Sequence, residues 1–403
     1  MRSNYKRLGD YIREVDVRNI DLDVSTLLGV SIQKRMMPSI ANTIGTDMSK
    51  YKIVQKGQFA YGPVTSRNGD KISIALLDGV DKAIISQAYT CFEVINKSEL
   101  LPEYLMMWFR RPEFDRYARF KSHGSAREIF DWDEMCNTEL PIPSPEKQRE
   151  IVVEYQAVQK RIDLNNQLIQ KLEETAQAIY KHWFVDFEFP DKNGKPYKSN
   201  GGEMVESELG EIPKGWRVGT VKDFCADMKS GGTPSRNNIE YWNSNDVPWI
   251  KTGEIKSNIL IDTEEYISFE GLENSSAKVL PINTVLMSMY GVNAGEVGIL
   301  KFEASTNQAC CGMICKTENE SAFLYYHLLH NQEYIASQAI GGAQENLSKD
   351  FIEKIDILIP DGNVLENVNL KKIIDTREII TREIYQLEVM KNLLLSKLST
   401  IEI

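Results

Sequence analysis

Residues 146–184 read EKQREIVVEYQAVQKRIDLNNQLIQKLEETAQAIYKHWF and predict one long helix. Apolar positions recur in steps of four and three, the spacing that keeps one edge of a helix against a partner helix. Pro141, Pro143 and Pro145 cannot lie inside a helix, so Glu146 falls in the first turn, where its charge suits the helix dipole. At about 1.5 Å per residue the helix spans roughly 58 Å. The seam consists of Ile151, Tyr155, Val158, Ile162, Asn165, Ile169, Leu172, Ala176, Ile179 and Trp183.

A second seam with the same spacing begins at Leu370. In the first seam only Asn165 is polar, and a single Asn at such a position lowers stability but fixes the register of a helical pair. We interpret the two seams as the facing sides of one helical pair within the chain. The alternative is that each seam packs on its own neighbouring globular domain. A seam of ten positions is, however, longer than the stretch of helix that one face of a domain typically covers. The second seam consists of Leu370, Ile373, Arg377, Ile380, Ile384, Leu387, Lys391, Leu394, Leu398 and Ile401.

The composition is that of a globular chain with two or three domains. The 403 residues are 42% hydrophobic and 26% charged, which is typical of proteins with substantial cores. No apolar run reaches the length of a membrane span, and the first residues lack the hydrophobic stretch of a signal peptide, so we expect a cytoplasmic protein without membrane contact. The six cysteines include no C-x-x-C pair and the four histidines are not at metal-site spacing, so we expect no metal site.

The charge of the chain is unevenly distributed. The net charge of −11 argues at first against binding to nucleic acid. Residues 1–140 contain 20 Lys and Arg against 19 Asp and Glu, however, whereas residues 216–360 contain 11 against 19. An acidic protein can still bind DNA if its basic residues face one way, and its isolated affinity should then be weak and depend on basic partners.

The sequence predicts two copies of one folding unit. The first copy predicts strands at 51–55, 58–61 and 71–77, a turn at 67–70 and a helix at 101–117. The second predicts strands at 285–290 and 297–300 and a matching helix at 322–338. Three landmarks repeat between the copies: 86–88 with 307–309, 124–127 with 342–345, and 140–143 with 358–360. A period this long indicates duplicated domains and not a solenoid.

The sequence therefore predicts a mixed α/β (α+β) fold with a pseudo-two-fold internal repeat. Two globular domains are joined by two long antiparallel helices that form a coiled-coil-like pair. We place the first domain at 1–144, its helix at 145–184, a linker rich in Gly, Pro and acidic residues at 185–215, the second domain at 216–360 and its helix at 361–403. The aromatic start of the linker indicates that it is anchored. Such symmetry matches a target split into two halves.

Four stretches of the sequence resemble those of a known family. They are 183–190 (WFVDFEFP), 202–205 (GEMV), 207–216 (SELGEIPKGW) and 231–235 (GGTPS), the last with Tyr241-Trp242 and Pro248-Trp249-Ile250-Lys251. Together they resemble the specificity subunit of bacterial type I restriction-modification systems over essentially the whole chain. There are two departures. Residues 143–148 keep most of the family's Pro-Pro-x-x-Glu-Gln pattern, which 360–366 have lost. The first domain has Leu28-Gly-Val-Ser31 instead of Gly-Gly-Thr-Pro, so the two domains should read different sequences.

Catalytic motifs are missing from the sequence. It contains no P-loop, no G-x-G-x-x-G opening a helix, no H-E-x-x-H, no G-x-S-x-G and no Asn/Asp-Pro-Pro-Tyr run of an amino-methyltransferase. We interpret acid pairs such as Asp131 with Asp133 and Glu264 with Glu265 as solvated loop residues, because general acid–base catalysis needs a perturbed, buried carboxyl group. We predict a binding subunit with no catalytic residue and no cofactor of its own.

Polar residues in predicted turns are the candidates for contact with DNA. Side chains in turns can reach base edges while strands and helices hold the frame. Arg and Lys can address guanine or phosphate, and Gln and Asn can address adenine. The candidates are Gln33, Lys34, Arg35, Ser66, Arg67, Asn68, Lys121, Ser125 and Arg127 in the first domain, and Ser230, Thr233, Ser235, Arg236, Asn237, Lys251, Tyr290, Asn293, Gln344 and Asn346 in the second.

The resemblance implies that each domain reads one half of a bipartite, asymmetric site in double-stranded DNA while the helices set the gap. It also implies two modification subunits, which bind S-adenosylmethionine and methylate adenine at N6, and restriction subunits, which use ATP and Mg for translocation and cleavage. Two alternatives stay open: a partner of a methylation-only system, and a coiled-coil scaffold unrelated to DNA. If DNA is bound, one concave face should carry Lys34, Arg35, Arg67, Arg127, Arg236 and Lys251.

Overall fold

The computed structural model describes residues 5–39, 45–66, 68–69, 71–124, 127–256, 258–339 and 346–401. The chain divides into two compact units: unit 1 is residues 1–162 with 386–403, and unit 2 is residues 163–385. Each unit contains a globule of strands and short helices together with part of each of two long helices. The predicted mixed α/β fold with two domains is confirmed. In the described part of the chain, no helix is both long and apolar enough to cross a membrane.

The globule of unit 1 is built on an antiparallel sheet. In the described residues its strands are β1 (Tyr5–Arg7), β2 (Ile12–Val15), β3 (Leu28–Val30), β4 (Met36–Pro38), β5 (Lys52–Gln55), β6 (Gln58–Tyr61), β7 (Ile74–Leu76), β8 (Lys82–Ile85), β9 (Thr90–Val94) and β10 (Glu139–Pro141). The sheet has the order β2-β9-β6-β7, and β1–β10, β3–β4 and β5–β8 form separate pairs. Both β6 and β7 are buried along their whole length, and Phe59 stacks on Phe92 with ring centroids 4.7 Å apart.

Short helices cover the sheet of unit 1 before the long helix begins. They are α1 (Pro102–Arg110), α2 (Pro112–Lys121) and α3 (Trp132–Cys136), followed by α4 (Pro145–Tyr180), which continues into unit 2. The prediction of one helix over 101–117 is wrong. Arg111 has an extended backbone, with φ −67° and ψ 136°, because the ring of Pro112 disfavours the helical conformation in the residue before it.

Unit 2 is built on a similar sheet with one more strand. In the described residues its strands are β11 (Met204–Ser207), β12 (Gly210–Pro213), β13 (Arg217–Thr220), β14 (Asp227–Ser230), β15 (Val247–Ile250), β16 (Asn258–Leu260), β17 (Glu265–Ile267), β18 (Val285–Ser288), β19 (Val297–Leu300), β20 (Ser305–Thr306), β21 (Cys310–Ile314) and β22 (Asp356–Ile359). The main sheet has the order β14-β21-β18-β19-β16, and a smaller one has the order β17-β15-β20.

The helices of unit 2 also differ from the prediction at one point. They are α5 (Val221–Phe224), α6 (Phe269–Glu273), α7 (Glu318–His330), α8 (Gln332–Ser337), α9 (Lys349–Glu353), α10 (Val364–Asn367) and α11 (Leu370–Lys397), the last continuing into unit 1. The single helix predicted over 322–338 is two helices. Asn331, with φ −96° and ψ 9°, leaves helical geometry and separates α7 from α8.

The segment 185–215, predicted as a linker, packs onto unit 2. A π-helical turn, Lys181–Val185, ends the first long helix. Phe189 stacks on Trp216 with ring centroids 5.0 Å apart, and Phe187 meets the same indole edge-on at 5.7 Å. The hairpin β11–β12 adds Ile212 to the same hydrophobic core. Because these aromatic groups are buried, the segment is part of the globule and not a loose tether.

The two units share one topology, which confirms the predicted internal repeat. The order β2-β9-β6-β7 of unit 1 corresponds to β14-β21-β18-β19 of unit 2, and the pair β1–β10 corresponds to β13–β22. The landmark 86–88 precedes β9 as 307–309 precedes β21. The helices α1, α2 and α3 correspond to α7, α8 and α9 in order along the chain.

The long helices turn their seam residues inward to different degrees. At the end of the first long helix, Tyr180 of α4 and Phe184 of the π-helical turn are more deeply buried than the predicted Ile179 and Trp183. The reason is that a helix of 3.6 residues per turn drifts by about 20° per heptad from a 3.5-residue repeat. The buried seam residues are Tyr155, Val158, Ile162, Asn165, Ala176, Leu370, Ile373, Arg377, Ile380 and Leu398, and the half-buried ones are Ile151, Ile169, Leu172, Ile384, Leu387, Lys391, Leu394 and Ile401.

Contacts within each unit pair the long helices in opposite directions. In unit 1, Tyr155 near the start of α4 shares a core with Leu395 and Leu398 near the end of α11. In unit 2, Glu173 near the end of α4 forms an ion pair with Arg377 near the start of α11. The helices therefore run antiparallel, as predicted.

Unit 1 anchors the start of α4 through one glutamine. Gln148 is fully buried. Its Oε1 accepts a hydrogen bond from the backbone N–H of Leu101 at 2.8 Å, and its Nε2 donates to the carbonyl oxygens of Glu99 and Pro143, each at 2.8 Å. The side chain thus satisfies three backbone groups that would otherwise be buried without partners.

Unit 2 anchors the start of α11 through charges instead. The Arg377 guanidinium is buried; it forms an ion pair with Glu173 and donates to the Tyr326 hydroxyl at 3.3 Å. Two residues before Arg377 and one residue after it, Asp375 and Glu378 lie 3.2 and 3.3 Å from the Lys301 ammonium, which follows β19. These ion pairs and the hydrogen bond to Tyr326 connect α11 to α4, to α7 and to the sheet of the same unit.

Candidate nucleic-acid interface

The Gly-Gly-Thr-Pro-Ser stretch of unit 2 forms a tight loop after β14. The Gly232 N–H donates to the Thr306 carbonyl at 2.8 Å. A Cβ on Gly231 would lie 2.2 Å from the Asn307 carbonyl oxygen, so the close approach of the two backbones requires glycine. The Thr233 hydroxyl donates to the side chain of Gln308. The loop is thereby fixed to the landmark segment 307–309.

Two tryptophans hold this loop through hydrogen bonds to its backbone. Trp249 Nε1 donates to the Gly232 carbonyl at 2.9 Å, and Trp242 Nε1 donates to the Ser235 carbonyl at 3.2 Å. The two indoles pack edge to face with centroids 4.8 Å apart. The guanidinium of Arg236 lies over the Trp242 ring, 3.4 Å from its centroid, and 5.0 Å from that of Trp249. We call residues 231–237 with Trp242 and Trp249 the arginine platform.

Opposite charges surround the exposed edge of the arginine platform. Arg236 Nη1 lies 2.6 Å from Glu265 Oε2, and Lys251 Nζ lies 3.0 Å from carboxylate oxygens of both Glu264 and Glu265. Partial burial opposes ionisation of Glu265, but hydrogen bonds from Arg236 and Lys251 lower its pKa overall, and hydrogen bonds to Glu265 and Glu264 raise the pKa of Lys251. The interpretation of Glu265 as a solvated loop residue is wrong; Glu264 is exposed, as expected.

The remaining candidates of unit 2 lie on the other side of the 307–309 segment. The backbone N–H of Met289 donates to the Ala309 carbonyl at 2.8 Å. The loop that follows carries Tyr290, which pairs with Asn346 in an isolated β-bridge, and Asn293. Both Tyr290 and Asn346 are exposed, as are Ser235 and Asn237, whereas Ser230, Thr233 and Asn293 are half-buried. Gln344 lies outside the described residues.

Two loops of unit 1 bring four of its candidates together. The Thr65 N–H donates to the Glu128 carbonyl at 3.0 Å, and its hydroxyl donates to the Ser122 hydroxyl at 2.9 Å. This pairing joins the loop that carries Ser66 and Asn68 to the end of α2, which carries Lys121, and to the loop after it, which carries Arg127. Ser66 and Arg127 are exposed, and Lys121 lies 3.2 Å from Glu134. Arg67 and Ser125 lie outside the described residues.

Lys34 has a structural position that removes it from the candidates. It lies in the β3–β4 turn with φ +61°, and its side chain is 5% exposed. The ammonium lies 2.8 Å from Asp115 Oδ1 and donates to the Phe109 carbonyl. Burial lowers the pKa of Lys34, although Asp115 partly offsets this effect. Lys34 therefore fixes the turn to α1 and α2, while its neighbours Gln33 and Arg35 are exposed.

Each unit also has a cavity where its short helices meet the end of a long helix. The cavity of unit 1 is about 620 Å³ and is lined by Trp108 and Ser399 among others; that of unit 2 is about 510 Å³ and includes Tyr180 and His327. The Tyr180 hydroxyl lies 3.0 Å from His327 Nδ1, and burial lowers the pKa of this histidine to about 4. None of the candidates that the structure describes lines either cavity. The described residues contain no cluster of His, Cys, Asp or Glu suited to a metal ion.

Four residues of the arginine platform and its surroundings were not among the predicted contacts. Trp242 and Trp249 belong to the stretches that carry the family resemblance, and Gln308 belongs to a repeated landmark. A signal for these three was therefore present in the sequence. Nothing in the sequence indicated that Glu265, almost 30 residues from Arg236, would bind it.

Comparison with known proteins agrees with these features. The model of the family described as type I restriction modification DNA specificity domain matches residues 33–174 and 213–389. The type I restriction enzyme HindI specificity subunit of Haemophilus influenzae is 24% identical over 369 residues, covering 78% of this chain and 79% of the relative. The MjaIX specificity subunit of Methanocaldococcus jannaschii is 25% identical over 315 residues, covering 76% of this chain and 70% of the relative.

A solved structure shows the same fold over almost the whole chain. The type I restriction-modification S subunit from M. genitalium superposes with a TM-score of 0.59 at 12% identity, covering 99% of this chain and 96% of that one. The family match spans both units, each with its sheet and its share of the long helices. This chain belongs to the family of type I restriction-modification DNA specificity subunits.

Proposed function

We propose that this chain is the non-catalytic DNA-reading subunit of a cytoplasmic type I restriction-modification complex, in which each unit reads one half of a bipartite, asymmetric site. The observation that supports this most is the duplication itself. The two units share one strand order but present different loops at equivalent places, which is expected if one framework serves two different half-sites. Sequence is read by side chains on such loops, while the framework sets their position.

The long helices serve as the spacer and as the docking surface for partner subunits. Besides its seam, each unit exposes apolar side chains on these helices: Val153, Val389 and Leu393 in unit 1, and Leu164, Leu168 and Ile379 in unit 2. Exposed apolar residues that recur along a helix are typical of a protein interface. Two modification subunits would bind here and supply S-adenosylmethionine chemistry, and restriction subunits would supply the steps that need ATP and Mg.

Sequencing of adenine methylation in single DNA molecules tests this function. We would compare cells that carry this gene with cells that lack it, the modification subunit being present in both. We expect the gene to add one two-part motif with a fixed gap. An unchanged methylation pattern would contradict the proposal and favour a scaffold role.

A matched insertion tests the spacer. Because Glu173 pairs with Arg377, residue 167 lies opposite residue 383 in the antiparallel pair. We would insert seven residues between Gln167 and Leu168 and seven between Arg382 and Glu383, which preserves the seam. The added length of about 10 Å corresponds to about three base pairs, so the gap should lengthen by that amount with both half-sites unchanged. An unchanged gap would exclude a spacer role.

A further inference from the structure

We propose that Arg236 reads a guanine in the half-site of unit 2, with Trp242 and Glu265 as its positioning residues. The inference rests on the proposed function. It adds which residue makes a base contact, which base it contacts and which neighbours position its side chain. About half of the Arg236 side chain is exposed, so the guanidinium is available to a ligand even though two neighbours hold it.

The arginine platform fixes the plane of the guanidinium. The distance of 3.4 Å between Arg236 and the Trp242 centroid is that of direct stacking, which leaves the side chain little freedom to tilt. The 2.6 Å contact with Glu265 fixes rotation within that plane. A guanidinium held in this way presents its remaining N–H groups in one direction. A planar pair of donors with a fixed direction matches O6 and N7 of guanine in the major groove.

The charges around Arg236 favour a base edge over a phosphate. Two cations, Arg236 and Lys251, face two carboxylates, Glu264 and Glu265, so the cluster carries no net positive charge. A phosphate carries a full negative charge, and its attraction to the two cations would be offset by repulsion from the two carboxylates. The edge of guanine is neutral and needs only donors. Contacts with phosphate also need no fixed direction, so the stacked and paired geometry would be unnecessary for them.

The test is the methylation motif of cells in which Arg236→Lys replaces the wild-type chain. Lysine keeps the charge but lacks the planar pair of donors. We expect one guanine in one half-site to become degenerate, with discrimination at that position falling about 5- to 150-fold, which corresponds to the loss of one bidentate contact. All other positions and the gap should stay unchanged. The matched control is Arg217→Lys, an exposed arginine on β13 outside the platform, which should leave the motif unaltered.

A second variant addresses the positioning role. Glu265→Gln keeps the shape of the side chain but removes its charge, so the same guanine should lose discrimination while the fold of the platform is kept. The unfolding midpoint of each purified chain, compared with the wild type, separates this effect from misfolding. An unchanged motif would overturn the inference and favour a phosphate contact, which the charge of lysine preserves. A uniform loss of methylation at all sites by a folded Arg236→Lys chain would overturn it as well, because no single base would then depend on Arg236. Absence of any two-part motif with the wild-type chain would instead overturn the proposed function.

Discussion

The two units have the same sheet but different surfaces and different anchors. Unit 1 anchors the start of α4 through the uncharged Gln148, whereas unit 2 anchors the start of α11 through the buried Arg377 and through Lys301. Unit 2 displays a stacked arginine in the loop after β14. In unit 1, a lysine in the turn before β4 is buried against Asp115. A duplicated framework can therefore keep its strand order while the residues at equivalent places take different tasks.

This difference shows which parts of the unit are constrained by folding. The sheet order is set by the apolar strands β6, β7, β18 and β19, which tolerate few alternatives because both of their faces are buried. The loops and helix anchors need only satisfy their own polar groups, and several solutions exist. Sequence differences between the units should therefore change the core little, and they should strongly change which ligand each unit binds. Variants that act in one unit alone can test this.

Removing the charged anchor of unit 2 should have the largest effect. Arg377→Met leaves Glu173 without its partner in a largely buried place, so we expect the free energy of unfolding of unit 2 to fall by about 3–5 kcal/mol. Urea unfolding of the purified chain, followed by fluorescence of Trp216 and its neighbours, measures this change.

The control for that experiment is Lys372→Met, since Lys372 is exposed and lies on the same helix. It should change the free energy by no more than about 0.5 kcal/mol. The double variant Arg377→Met with Glu173→Leu should recover part of the loss, because it leaves no unpaired charge. Equal stability of Arg377→Met and the wild type would show that the charges do not anchor the helix.

A pair of glycine variants compares a closely packed glycine of unit 2 with an open glycine of unit 1. A Cβ on Gly231 would meet backbone atoms of 306–307 at 2.2–2.3 Å, so Gly231→Ala should destabilise unit 2 by about 1–3 kcal/mol. A Cβ on Gly29, in strand β3 of unit 1, meets no atom of the described residues within 4 Å, so Gly29→Ala should change stability by less than about 0.5 kcal/mol. Thermal unfolding of the two variants side by side measures the difference, and similar losses would contradict the close packing of the Gly-Gly-Thr-Pro loop.

The smallest effect on stability should come from lowering the pH. His327 has a folded-state pKa of about 4, below its ordinary value of 6.5. The unfolded state therefore binds the proton more tightly, and stability is lost as the pH falls below about 6.5. By pH 5.5 the loss should be about 1 kcal/mol.

The variant His327→Gln isolates this contribution, because it lacks the titrating imidazole. Urea unfolding at pH 7.5 and 5.5 should show a smaller acid effect in the variant than in the wild type. The cavity of unit 1 has no histidine among its described lining residues, so unit 1 should not show this component. The same pH dependence in wild type and variant would assign the effect to other groups.

Local patterns in the sequence predicted the long helices and the internal repeat. The arrangement of the candidate DNA-binding residues, in contrast, depends on long-range contacts. The alternation of four and three predicted both long helices, and repeated landmarks predicted the duplication, because such features depend on neighbouring residues. The break at Arg111 was also readable, since Pro112 follows it. The burial of Lys34 was not, because it depends on Asp115 and on a backbone with positive φ. The pairing of Arg236 with Glu265 likewise depends on how β17 meets the loop after β14.

The way in which the chain is divided between the two units has a consequence for the order in which they fold. Unit 2 is one continuous stretch, 163–385, whereas the core of unit 1 includes Leu395 and Leu398, which are synthesised only after the whole of unit 2. Since chains grow at about 5–20 residues per second, the sheet of unit 1 waits tens of seconds on the ribosome for the helix that completes it. During synthesis, unit 2 should therefore reach its native state first, and the earlier-made unit should depend on chaperones until the last helix arrives.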